Sequence, residues 1–122
     1  MKFVILAAAL LFFSSAAAHE MTPAYLKMVP VTDDIYETTI KMLNRRQDVE
    51  FYEISAFDGE WNPLPFGSYH RVFKLPYLKR KEVKIYFQKK VLKNLVYVCT
   101  TSKLYKSEGT VISSRICSKV EK

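Results

Sequence analysis

Residues 35–57, IYETTIKMLNRRQDVEFYEISAF, constrain the fold more than any other stretch, because two runs of strand-like alternation are joined by a short polar link. In the first run Tyr36, Thr38, Ile40 and Met42 share one face and Glu37, Thr39 and Lys41 the other, which is the two-residue period of a half-buried strand. The second run alternates too. Val49, Phe51 and Phe57 lie with Glu53 and Ser55, while Tyr52, Ile54 and Ala56 lie opposite, and either face can be the buried one. The link, residues 44–48, carries turn-favouring Asn44 and Asp48 around adjacent Arg45 and Arg46, so it is expected at the surface as the turn of a hairpin.

The strand pattern recurs along the chain. Residues 25–29 are short and apolar between Pro23 and Pro30, as an edge strand is. Further runs fall at 69–75, at 82–87 with Val83, Ile85 and Phe87 in phase, at 95–101 and at 110–120, the last two joined by a hairpin connection at 106–109. Between strands, residues 58–67 are rich in breakers and exclude a long regular element; Trp61, Leu64 and Phe66 there are expected to pack under the edge of the fold, with a ligand platform as the sharper alternative. No helical period outlasts a turn. About seven short strands and an apolar content of 49% define one all-β domain, an immunoglobulin-like β-sandwich over residues 19–122.

The first eighteen residues read as a signal peptide. Lys2 precedes an unbroken apolar run, residues 3–13, and Ala16 and Ala18 supply the small-x-small pattern for cleavage before His19. That run is well short of the roughly 20 residues that span a bilayer. The mature chain is therefore expected outside the cytoplasm, periplasmic or secreted, without a stable membrane anchor. Two cysteines, Cys99 and Cys117, fit a single disulfide in such a compartment. By strand parity they lie on faces opposite Val96, Val98, Ile112 and Ile116, as a link between neighbouring strands does. Closing a loop of this length contributes about 3 kcal/mol in the chain-entropy account.

Four segments, residues 25–28, 40–44, 51–54 and 95–97, carry a resemblance to a known family. Tyr25-Leu26-Lys27-Met28, Ile40-Lys41-Met42-Leu43-Asn44, Phe51-Tyr52-Glu53-Ile54 and Leu95-Val96-Tyr97 resemble the N-terminal immunoglobulin-like domain of periplasmic pilus (fimbrial) chaperones. The resemblance covers most of residues 19–122 and implies that fold and a periplasm-like location. One subgroup of the family links its last two strands by a disulfide, a role that falls on Cys99 and Cys117. The basic pair with which those chaperones grip a carboxylate aligns with no position here, and the likeness extends to one domain.

Chemistry-bearing motifs are few. There is no nucleophile elbow, P-loop, glycine-rich nucleotide loop or HExxH, and the carboxylates are scattered among lysines, so a non-enzymatic protein is expected. The leading reading is an exported binding protein, chaperone-like, that accepts a partner strand or a second copy along the last strand through Val111, Ile112, Ser113, Ser114, Arg115 and Ile116. The alternative is a small periplasmic copper protein in which His19, as the mature N-terminus, and His70 hold the ion. Lys79, Arg80, Lys81, Lys84, Lys89 and Lys90 form a basic stretch that suits either an anionic polymer or protection of a sheet edge.

Overall fold

The computed structural model describes residues 19–103 and 113–122. Among these residues nine strands and one helical turn follow in order: β1 (His19–Thr22), β2 (Tyr25–Leu26), β3 (Val29–Pro30), β4 (Ile35–Asn44), β5 (Phe51–Phe57), β6 (Val72–Lys74), β7 (Arg80–Gln88), α1 (Lys89–Leu92), β8 (Tyr97–Lys103) and β9 (Arg115–Val120). The expected signal peptide, the connection at 106–109 and the site candidates Val111 and Ile112 lie outside the described residues.

Two sheets form a sandwich. In the first, β4 pairs antiparallel with β7 on one side and with β1 and β3 on the other. The second runs β2-β9-β8-β5-β6, antiparallel except for the parallel contact of β2 with β9. The chain crosses from sheet to sheet after β4, after β6 and after β7, and the N-terminal segment touches both sheets, which is immunoglobulin-like connectivity. Alternation explains the core. Thr38, Ile40 and Met42 of β4 and Val83, Ile85 and Phe87 of β7 point inward to meet Tyr52, Ile54 and Ala56 of β5 and Val98 and Thr100 of β8, all of them buried. The inward face of β5, open in the sequence, is thus the Tyr52 face.

Three expectations about strands are corrected. First, β4 and β5 are not a hairpin; they belong to different sheets, and residues 45–50 arch across the roughly 10 Å between them. The reason is Asn44, which is fully buried rather than exposed in a turn. Its Nδ2 donates to the carbonyls of Val49 (2.7 Å) and Leu75 (2.8 Å), and its Oδ1 accepts from the Tyr52 hydroxyl (2.6 Å) and the Arg46 amide (2.8 Å). One carboxamide therefore satisfies both sides of the arch from within the core.

Second, the edge strand expected at 25–29 is divided. Tyr25 and Leu26 join β9, Val29 and Pro30 join β4, and β1 adds a third N-terminal piece on β4. Leu26, fully buried between the sheets, anchors the changeover. Third, the described last strand begins at Arg115 and is no free edge along its length. The Lys119 amide bonds to the Ala24 carbonyl at 2.9 Å and that of Glu121 to Leu26 at 2.8 Å, so β2 covers the C-terminal half of β9.

The disulfide joins Cys99 of β8 to Cys117 of β9 directly across the ladder, with Cα atoms 4.0 Å apart. It lies on the outer side of the second sheet, where β8 and β9 turn their odd-numbered residues. Neighbouring strands are stapled and the two sheets are not.

Candidate functional site

The longest strand with an open side is β7. Its pairing with β4 follows a register in which Tyr86 faces Glu37 and Lys84 faces Thr39. Tyr86 spends its own N–H and C=O on the other side, bonding Gly67 in both directions at 2.8 Å. Antiparallel ladders alternate, so the backbone groups of Lys84 and Glu82 also point away from β4. There the bridge is not continued by a backbone partner among the described residues; the Ser68 hydroxyl alone reaches the Lys84 carbonyl, at 3.3 Å. A cleft of about 480 Å³ runs beside this edge, lined by Ser68, Tyr69, His70, Glu82, Lys84 and Tyr86. Tyr69 stands at its rim, 89% exposed.

Charge follows the strand unevenly. Lys79, Arg80 and Lys81 sit at its start and Lys89 and Lys90 in α1 at its end, so the basic stretch is drawn out along β7 and is not gathered into one patch. Lys84 lies 4.0 Å from the Glu37 carboxylate, and Lys81 turns over the Phe73 ring at 5.8 Å. The hydrogen bond that Tyr86 gives Glu37 holds the phenol above its ordinary pKa.

The edge expected to bind, at the last strand, is narrower. Ser114 donates its amide to Ser102 Oγ at 2.8 Å, and its carbonyl accepts from the Ser102 amide at 2.9 Å, so Ser114 looks toward β8; Ile116 follows by alternation. Arg115 and Cys117 look outward, but only as far as the start of β2. Ser113 precedes the strand, with its hydroxyl on the Ser102 carbonyl at 3.3 Å.

His19 and His70 are not brought together. His19 opens β1 and is 3% exposed, its ring 4.8 Å from that of Tyr52. His19 Nε2 lies 2.9 Å from Thr100 Oγ1 and Nδ1 lies 3.2 Å from Ser114 Oγ, so each ring nitrogen has a hydroxyl partner. Burial pushes the imidazole pKa down to about 4; hydrogen bonding to the Thr100 backbone opposes this and the Arg46 charge adds to it. His70 is exposed in the β7 cleft, with β4 and β7 between it and β1. Two strand spacings, about 10 Å, separate the two edges, so one ion does not span both rings. Among the described residues no group of three His, Cys, Asp or Glu side chains is arranged to hold a metal.

Trp61 is the residue whose position sequence reasoning missed. Leu64 and Phe66 pack against the core as expected, but Trp61 turns outward, 48% exposed, with φ of 65°. Asp58 builds the turn that holds it: Oδ1 accepts the amides of Glu60 and Asn62, each at 2.9 Å, and the Asp58 carbonyl accepts the Trp61 amide at 3.2 Å. These bonds hold the Asp58 carboxyl below the usual carboxylate range, those to Asn62 foremost. The Asx-type spacing Asp58 to Asn62 was the available signal.

No family model matches the chain, and no curated protein is significantly similar to it.

Proposed function

We propose that this chain acts outside the cytoplasm as a non-enzymatic binding protein, capturing an extended segment of a protein partner as an added strand on β7. The observation that carries this reading is the Gly67–Tyr86 bridge: a two-bond antiparallel contact that begins a ladder on the outer side of β7 and leaves Lys84 and Glu82 ready to continue it. Strand addition draws affinity from such main-chain bonds and specificity from alternate side chains, here Tyr69, Tyr86 and the cations at Lys79 and Arg80. Its natural partner is an extended segment with acidic side chains near the start of β7. The resemblance to pilus chaperone domains supports the same mode of binding, transferred from the last strand to β7.

A linear-peptide library panned on residues 19–122 tests this. Selected peptides should protect the Glu82 and Lys84 amides from hydrogen exchange. They should bind at least about tenfold more weakly to Lys84→Pro, which removes an outward donor and leaves the β4 ladder intact. Protection confined to β9, or equal affinity for a folded Lys84→Pro variant, would remove β7 as the site.

A further inference from the structure

The outer face of the second sheet carries a built aromatic surface that the β7 reading does not use. Trp61 lies flat on Tyr97, ring centroids 4.2 Å apart and planes within 2°, and tilts against Phe57 at 5.7 Å. The Arg115 guanidinium lies over the Phe57 ring, 5.2 Å from its centroid, reaching across the disulfide row to do so. In register with Phe57 and Tyr97 come Lys119 of β9 and then Tyr25 of β2, itself 65% exposed. Tyr25 is thus two strand spacings, about 10 Å, from Tyr97, with Lys119 between.

Keeping an indole in this place has a cost. A bulky side chain at positive φ is unfavourable by about 1 kcal/mol or more, and a half-exposed tryptophan leaves apolar area in water. The Asp58 turn holds that conformation with four hydrogen bonds from its loop. One indole face is occupied by Tyr97. What the arrangement offers outward is a flat, electron-rich surface with one guanidinium and one ammonium beside it.

We infer that this surface is a binding site for an anionic saccharide. A pyranose ring presents an apolar face of C–H groups, slightly positive, that suits the negative face of an indole, while sulfate or carboxylate substituents suit Arg115 and Lys119. The two strand spacings from Tyr97, on which Trp61 is stacked, to Tyr25 accommodate a short oligosaccharide laid across β8, β9 and β2. A nucleic acid is the poorer fit, since its phosphate chain calls for a continuous cationic track, whereas the further cations on this face, Lys103 and Lys74, lie against carboxylates, Glu53 at 3.6 Å and Glu50 at 3.8 Å.

The test uses the fact that Trp61 is the single tryptophan of the chain, so its emission reports this site directly. Titration of residues 19–122 with a heparin-derived hexasaccharide should shift the emission saturably, and the effect should weaken with salt. Maltohexaose, which has rings without charge, should bind at least about tenfold more weakly. By calorimetry, Trp61→Ala and the double substitution Arg115→Gln with Lys119→Gln should each reduce heparin affinity at least about tenfold while circular dichroism stays unchanged. Equal binding of maltohexaose or of a six-nucleotide oligothymidine overturns the assignment. So does heparin binding that survives both variants and is lost instead in Lys79→Gln with Arg80→Gln. Peptide capture at β7 is measured separately, so either result stands without the other.

Discussion

Two polar connections, the arch after β4 and the turn after β5, are each closed by one short side chain, and they end on opposite sides of the sandwich wall. Asn44 goes in. All of its side-chain hydrogen-bonding capacity is used inside the core, while of the arginines beside it Arg45 is exposed and Arg46, its side chain largely covered, is held by Asp48 at 2.8 Å. Asp58 stays at the surface, and the residue it positions, Trp61, is driven outward onto Tyr97. A carboxamide has donors and acceptors to satisfy two strands at once and carries no charge; a carboxylate accepts only and loses its hydration if buried. The chemistry of one atom pair decides which connection joins the sheets and which one displays a ring.

Removing the inward carboxamide is the harshest way to break this contrast. Asn44→Ala leaves the Tyr52 hydroxyl and the Val49 and Leu75 carbonyls without their buried partner and opens a small cavity. We expect a loss of about 4 kcal/mol, read as a lower urea midpoint. A loss below about 1 kcal/mol would mean that water replaces the amide and that Asn44 does not organise the arch.

His19 extends the inward network, since its ring packs on Tyr52, and it makes that network sensitive to pH. The folded pKa, about 4, lies below the ordinary value of 6.5, so between those limits the unfolded chain binds the proton and the folded chain does not. Stability is therefore full above pH 6.5 and falls as the pH drops toward 4. The loss is on the order of 2 kcal/mol once solvent screening is allowed for. The carboxyls of Asp48 and Asp58, held below the carboxylate range, add their losses only at lower pH. Melting temperatures of the wild type and of His19→Gln from pH 7.5 to 4 separate the two windows: the variant should lose the slope between 6.5 and 4.

Periodicity made the sandwich legible because burial on one face writes itself into every second residue, as in Thr38, Ile40 and Met42 or Val83, Ile85 and Phe87. The cross-strand disulfide was legible from parity and count. Neither pattern says which strand pairs with which. The hairpin expected between β4 and β5 failed because Asn44 reads as a turn residue by type, while its burial depends on Leu75, thirty-one positions away. The division of the N-terminal strand had the same origin, a changeover fixed by Leu26 and by the partners it finds on β9. The candidate sites were less legible still. An open edge is a property of which neighbours are missing, and the outward turn of Trp61 depends on a positive φ that no residue preference announces.

The outward turn is the gentler half of the comparison. Asp58→Ala removes the acceptor shared by the Glu60 and Asn62 amides, and those donors are near water, which takes over. The melting temperature should hence change far less than in Asn44→Ala, because no core group is orphaned. What should move is Trp61 itself. Without the carboxylate, the left-handed backbone at Trp61 loses the bonds that offset its strain, the ring should leave Tyr97, and its emission should shift to the red with easier quenching by acrylamide. The same shift should appear in the wild type at a pH low enough to protonate Asp58, below the usual carboxylate range because its folded pKa is lowered. If Asp58→Ala leaves the emission of Trp61 unchanged, stacking on Tyr97 alone holds the indole, and the turn is a consequence of that contact rather than its cause.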